Sequence, residues 1–371
     1  MRNPFSRRPR LGTLIVVIVI AAASSALSLA TSRALLPLVV ASNYLGDMAV
    51  AAPVRTQPPS DEIVIVEINE QTLQQFPYRS PVDRRFLAET VQGIAAKGAR
   101  LIWLDMLFDQ PTEPDKDQEL RETLRNSRVP LVVTWEPGPL TAAQHDYLDA
   151  FVPADDRGYA ALYEDSLDNV ARRVAMQTVL PDGGIVPGVA ELILRKLGQP
   201  SVELSDVIAW RGMPADGSAP FPSVPAQAIA QLPPGAFLGK IVLLGGIVSL
   251  EDRHRSPFAV TYGPAFGNLP GVVIQAHHID QSINGRHVRS LSTLESFAVG
   301  LVPALAAAAL ALSRFWASIR IVGGVLGTAV TLVAFFLVAA TTGVRFDLLQ
   351  PILAFCIASW LGAAIARRRP G

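Results

Sequence analysis

The chain has 371 residues and a formal charge of zero, with half of its residues hydrophobic, and the longest apolar runs crowd into its two ends. The region 48–296 holds 21 Lys and Arg against 30 Asp and Glu, a net charge of −9, so it lacks the basic footprint of a nucleic-acid binder. The one cysteine, Cys356, falls in the last apolar run, which leaves the middle with no disulfide, no cysteine-based metal site and no thiol chemistry.

Leu11–Ala30 is uncharged and about 20 residues long, the length that a roughly 30 Å hydrocarbon core requires of a helix. An Arg-rich start, an apolar run and Ser28-Leu29-Ala30 also fit a cleaved signal peptide, and Ser6-Arg7-Arg8 resembles a twin-arginine signal. The run is long for a signal core, so it reads as an uncleaved anchor. Residues 31–60 form a stem in which 42–54 favours helix, until Pro53 and Gln57-Pro58-Pro59-Ser60 break the pattern.

Asp61–Asn69 is a nearly continuous β-branched run and predicts a buried strand. Pro81–Lys97 predicts an amphipathic helix, with Pro at its start and Gly98 at its end. Arg100–Met106 predicts the next buried strand, and strand, helix, strand is a βαβ unit of a parallel sheet. A helix over 115–126 and a strand over 129–134 continue it. Strands follow at 159–163 and 170–180, a turn at Asp182-Gly183-Gly184, a helix within 185–197, a Gly/Pro-rich stretch at 211–222 and a short helix at 223–231. Lys240–Gly246 is a third buried strand, and 271–284 a closing helix that ends at Gly285.

Three more membrane-length runs lie at about 297–312, 319–341 and 348–366. Arg2, Arg7, Arg8 and Arg10 precede the first span, Arg314 and Arg320 separate the second and third, and Arg367, Arg368 and Arg369 follow the fourth. Four spans put all three Arg-rich stretches on one side, which the positive-inside bias makes cytoplasmic. The expected plan is a cytoplasmic N-terminus and first span over 1–41, an exported α/β domain over 42–293, and three spans with a short cytoplasmic tail over 294–371. The fold class is an α/β domain with a largely parallel sheet flanked by helices, plus four transmembrane helices.

In an open parallel sheet, ligands bind outside the carboxyl ends of the strands. That rule selects Glu67, Asn69 and Glu70 after the first strand, Arg79 in the loop beyond, Asp105 and Asp109 after the second, and Gly245, Gly246, Asp252 and Arg253 after the third. Such a rim suits a small polar or zwitterionic ligand, with Arg forked onto a carboxylate and Asp holding an ammonium. The same residues fit purely structural roles: aspartates capping helices, and Arg79 and Arg253 as their ion-pair partners. His254, His277 and His278, with Asp252 or Asp280, offer metal donors, but neighbouring histidines face different sides of a helix, and His277 reads better as a core histidine. Gly245-Gly246 is too short a match to a phosphate loop or nucleophile elbow.

The order Ile63–Asn69, Phe76-Pro77-Tyr78-Arg79, Trp103 to Asp109, Lys240–Gly246, Asp252-Arg253 and Pro270-Gly271-Val272 through Ala276-His277 resembles the CHASE family of extracellular sensory domains, type two. The likeness covers about 42–293, with one span before and three after. The chain departs from the family pattern in Ile68-Asn69 for Ile-Asp, in Leu244-Gly245-Gly246, in His254-Arg255-Ser256-Pro257 for Thr-Pro, and in Ala276-His277-His278. The resemblance implies a bacterial inner-membrane sensor without a catalytic output domain of its own. Its candidate ligand residues are Asn69, Arg79, Asp105, Asp109, Asp252, Arg253 and His277. The implied partners are the lipid bilayer, an unidentified small molecule, a separate cytoplasmic signalling protein of cyclase or kinase type, and a second copy of the chain as a homodimer; no cofactor, metal or nucleic acid is implied. An exported membrane-anchored hydrolase working through the Asp rim, or a ligand-free membrane scaffold, are the alternatives. A hydrolase needs a carboxyl with a strongly raised pKa in a cleft, and a scaffold an exposed apolar patch.

Overall fold

The computed structural model describes residues 11–52, 56–138, 140–180, 183–199, 204–248, 252–313 and 315–368. Arg2, Arg7, Arg8, Arg10, Arg314 and Arg369, the Ser6-Arg7-Arg8 signal, Pro53 and Asp182 lie outside the described residues. The chain divides into two compact units, one made of Met1–Val54 with Arg289–Gly371, the other of Arg55–Val288.

The first unit is helical: α1 (Leu11–Ala34), α2 (Leu36–Val50) and, from the far end of the chain, three further helices, Thr293–Ala311, Ala317–Thr342 and Leu349–Arg368. All but α2 are long and apolar enough to cross a membrane. The helix expected at 42–54 begins earlier, at Leu36, because Pro37 cannot continue α1 and instead opens a new first turn. α1 packs against Thr293–Ala311 and Leu349–Arg368 through Ala21, Ala304, Ala307, Ala308, Ala354 and Ala358, small residues that let backbones approach without a bulky core. A Cβ at Gly300 would meet Gln350 Nε2 and Ser25 Oγ, so a side chain there would have to displace both of these polar groups. Polar groups join the same three helices: Ser25 Oγ donates to the Phe297 carbonyl at 2.7 Å, and Gln350 Nε2 donates to Ser28 Oγ at 3.3 Å. Ala317–Thr342 is the least enclosed, with only 6% of its apolar window buried against 28–39% in the other three.

The second unit runs β1 (Ile63–Asn69), α3 (Glu70–Leu73), α4 (Arg84–Ala96), β2 (Leu101–Asp105), α5 (Pro114–Arg125), β3 (Leu131–Thr134), α6 (Ala142–Phe151), β4 (Arg157–Gly158), β5 (Leu162–Glu164), β6 (Ala171–Val174), β7 (Gln177–Val179), β8 (Ile185–Pro187), α7 (Val189–Lys196), β9 (Ser223–Pro225), β10 (Ile241–Ile247), β11 (Arg253–Arg255), α8 (Phe258–Tyr262), α9 (Pro264–Gly267), β12 (Asn268–Pro270) and α10 (Gly271–Ile283). The helices of the first unit after α10 are therefore α11 (Thr293–Ala311), α12 (Ala317–Thr342) and α13 (Leu349–Arg368).

Six strands form one sheet in the order β4-β3-β2-β10-β1-β9, and all its pairings are parallel. Each long strand is apolar on both faces because both faces are covered. Val66, Ile68, Ile102, Leu104 and Leu244 pack with Leu87, Val91, Leu120, Leu124 and Phe151 of α4, α5 and α6. Ile63, Ile65, Leu101, Trp103 and Leu243 pack with Ile193 of α7 and Val272, Ala276 and Ile279 of α10. The helix after β2 thus lies on one face and the helix after β10 on the other. Since β2 and β10 are neighbours, their carboxyl ends bracket a topological switch point, the place where such sheets leave a crevice.

Several local expectations change. The helix expected from Pro81 starts at Arg84, where the Asp83 side chain accepts the Phe86 N–H at 3.0 Å. The short helix expected at 223–231 is an edge strand, β9, followed by a 3₁₀ turn over Ala226–Gln231. The strands expected at 159–163 and 170–180 break into short antiparallel pairs, β5 with β6 and β7 with β8, outside the main sheet.

Candidate functional site

Asp105 is the last residue of β2 and lies in register with Gly245 of β10. A Cβ on Gly245 would stand 2.9 Å from Val272 Cβ and 3.2 Å from Asp105 Cβ. The bare backbone there lets the first turn of α10 close over the sheet beside the Asp105 carboxylate. Asp105 Oδ1 accepts from Thr134 Oγ1 on the adjacent strand at 3.1 Å, and that hydroxyl accepts from Trp103 Nε1 at 3.1 Å. Trp103 is fully buried, so this chain of donors is anchored in the core.

The other wall comes from the segment before α10. Asp252 adopts a left-handed φ of +50°, uncommon for a residue with a side chain. Its Oδ2 accepts the Gly271 N–H at 3.1 Å, giving the start of α10 the carboxylate that Pro270 at the N-cap cannot supply. A Cβ on Gly271 would approach that oxygen to 2.7 Å. His254 on β11 places Nε2 3.0 Å from Asp252 Oδ1 and Nδ1 2.7 Å from Glu164 Oε1. With a carboxylate at each ring nitrogen, both nitrogens donate and the ring is an imidazolium. Antiparallel pairing of β11 with β12 sets His254 opposite Leu269, next to the α10 start.

The electrostatics follow from this packing. Burial, then repulsion from Asp252, pushes the Asp105 carboxyl up to about 7, against the opposing hydrogen bond from Thr134 and the attraction of His254. Asp105 as a whole residue is half-buried. The hydrogen bonds to Asp252 and Glu164 raise His254 to about 9 in spite of its partial burial. One cation therefore sits among three carboxyl groups, one of them poised near neutrality.

The structure brings Asp105 and Asp252 together and engages the other candidates separately. Asn69 caps α3, accepting from the Thr72 N–H at 3.1 Å. Arg79 pairs with Glu70 at 2.7 Å on an exposed stretch. Asp109 accepts from Gln144 Nε2 at 2.8 Å, near the buried Arg84, whose guanidinium lies over the Phe108 ring at 4.6 Å. Arg253 donates to the carbonyls of Val248 at 3.0 Å and Asn268 at 2.8 Å, which shapes the loop. His277 is a core residue: its Nδ1 accepts from the Arg211 N–H at 3.0 Å, its ring packs on Trp210, Phe221 and Phe258, and burial drives it down to about 3. His278, bonded to the Ser205 carbonyl at 3.1 Å, is likewise lowered to about 4 by burial. The histidines considered together as metal donors are thus separated, and among the described residues no group of three or more His, Cys, Asp or Glu is placed to hold a metal ion. Sequence reasoning did not select Thr134 or Glu164 and took His254 only as a metal donor. Thr134 ends a strand like the residues it joins and was open to the same rule; Glu164 carries no comparable signal.

The far end of α10 is tied as firmly as its start. Asp280, fully buried, accepts from Arg211 Nη1 at 3.1 Å and from Arg286 in the segment that leads on to α11. Arg211 also donates to the Pro58 carbonyl at 2.7 Å, so the guanidinium that pairs with Asp280 also holds the stem.

No curated protein and no solved structure shows a match to this chain. The CHASE2 domain model matches residues 14–313, over four-fifths of the chain. Together with a parallel sheet whose last helix starts at the rim and leads toward apolar helices long enough to span a bilayer, that match places the chain in the CHASE2 family of sensory domains.

Proposed function

We propose that this membrane protein is a bacterial inner-membrane sensor. Its α/β unit faces the extracytoplasmic side and meets a small-molecule or environmental signal at the rim formed by Asp105, Asp252 and His254. Its spans relay the signal to a separate cytoplasmic effector of cyclase or kinase type, both termini being cytoplasmic. The observation that carries this reading is the placement of α10. Its first turn is held by Asp252 beside Asp105, its last turn by Asp280, and ten residues after Ile283 the chain enters α11. A ligand shifts a protein only by its differential affinity for two arrangements, and an occupant of the rim competes for the carboxylate that fixes α10. Crosslinking from the cytoplasmic face would identify the effector, whose activity is then read with wild type, Asp105→Asn and Asp252→Asn, circular dichroism serving as the folding control. Altered effector output from both variants supports the reading; unchanged output from both overturns it.

A hydrolase reading draws on one observation, the Asp105 carboxyl held near 7, where a general acid–base works best. The nearest hydroxyl, that of Thr134, is committed to Trp103 and Asp105. Turnover of chromogenic esters or phosphate esters by the purified protein, lost in Asp105→Asn, would favour the hydrolase over the sensor.

A further inference from the structure

We infer that the spans carry a built site for one anionic phospholipid, with its phosphate at Arg320 and Arg367 and one acyl chain lying between α12 and α13. A groove of about 530 Å3 is lined by α11, α12 and α13, within the roughly 300–1,000 Å3 that small-ligand sites occupy. Its polarity changes along the helix axes and not across them. Arg320 in the first turns of α12 and Arg367 in the last turn of α13 mark one end. From Arg320 to Thr328 is about 12 Å of helix, and from Arg367 back to Cys356 about 16 Å. At that deeper end Thr328 Oγ1 and Cys356 Sγ come within 3.8 Å, so α12 and α13 meet there. Between the two ends the lining is small or apolar, including Gly324, Val325 and Ala363.

A charged end joined to an apolar trough parallel to the spans has the form of a phospholipid, a head and a chain aligned with the bilayer normal. Basic pockets between spans at the headgroup level favour anionic lipids, and guanidinium groups fork onto phosphate oxygens. Arg320 spends one N–H on the Ala311 carbonyl at 3.2 Å, which caps α11 and fixes the side chain at the mouth, and guanidinium offers five such donors. α12 also leaves most of its apolar length unpacked by the rest of the unit, as a lipid-facing helix does.

The test uses the full chain in nonionic detergent, titrated with phosphatidylglycerol or with phosphatidylcholine of the same acyl chains. Native mass spectrometry reads retained lipid, and thermal unfolding reads the shift. Wild type should retain one phosphatidylglycerol and unfold at higher temperature with it, and do neither with phosphatidylcholine. Arg320→Gln with Arg367→Gln should weaken retention at least tenfold, whereas Arg368→Gln, at the same helix end but outside the lining, should not. Gly324→Leu should also lose the lipid with both charges intact, because a Cβ there enters open space, and it raises helix propensity, so unfolding is not the expected confound. Equal retention of both lipids, an unaffected double variant, or equal loss in Arg368→Gln would overturn the site in favour of diffuse attraction. Loss of a dimer instead of a lipid in Gly324→Leu would assign the groove to a second copy.

Discussion

Two side chains set an alkaline limit on stability. Asp105 is raised from its ordinary range to about 7, so its contribution is complete below about 4 and is lost as pH climbs through 7. His254, raised to about 9, contributes fully below about 6.5 and loses that contribution as pH climbs through 9. His277 and His278 act in the opposite sense, since both are lowered by burial, and cost stability as pH falls below about 6.5. Thermal midpoints should therefore fall between pH 7 and 9, and His254→Gln should flatten that fall. Asp105→Asn should gain stability over wild type at pH 8 and lose the gain by pH 4; equal gains at both pH values would remove Asp105 as the titrating group. Backbone space is as restrictive as charge here. Gly245→Ala should cost about 1–3 kcal/mol by overpacking against Val272, measured by denaturation midpoints. The approach of Asp252 to Asp105 was legible in sequence because each follows a buried strand, and the two strands are neighbours in a parallel sheet. The contact of His254 with Glu164 was not, because 90 residues separate them and only the folding of short, weakly patterned strands brings them together. Arg79 and Arg253 read as ligand forks, yet a long cationic side chain takes the nearest acceptor, which for Arg79 is Glu70 and for Arg253 the main chain.

The elements most readable from sequence are those buried on both faces. β1, β2, β3 and β10 appear as unbroken apolar runs because each face meets helices, and the register of Asp105 with Gly245 follows from their ends. α6 was missed because it buries only Leu148 and Phe151, too few positions for a helical period. β9 was missed because Ser223–Pro225 is a three-residue edge strand carrying a proline, which only an edge tolerates. The relay is itself a prediction about elements. A few Gly and Ser residues inserted after Arg289 should uncouple effector activity while circular dichroism stays unchanged. The same insertion at Gln57, in the Pro-rich stem, should matter less. The bond from Arg211 to the Pro58 carbonyl places Asp280 in touch with both routes, so the ratio of the two effects measures how the load divides. Equal sensitivity, or none, would favour a scaffold.

At the level of the whole molecule, the four long apolar helices were evident from composition alone, since a bilayer demands a length that few soluble elements reach. The attachment of α2 to the spans was not, because a 15-residue helix is too short to announce a membrane setting, and its Ala49 finds Ala340 and Leu348 only in the assembled unit. Orientation is open to direct measurement. A reporter fused after Asp216 should behave as exported and one fused after Arg369 as cytoplasmic; the opposite result at either position overturns the four-span arrangement.

The buried serines of α1 carry a consequence for timing. Ser24, Ser25, Ser28 and Ser32 are all enclosed in the assembled unit, and Ser25 bonds the Phe297 carbonyl, 272 residues further along. At about 5–20 residues per second, a ribosome needs on the order of 15–55 s to make that partner. Throughout the interval the hydroxyl face of the first helix stands without its neighbours, sheltered only by bonds such as that of Ser28 to the Ser25 carbonyl. α1 is thus made before its partners and completed only after them, and nascent protein should pass through a brief protease-sensitive age that ends when the ribosome has released α11 and α13.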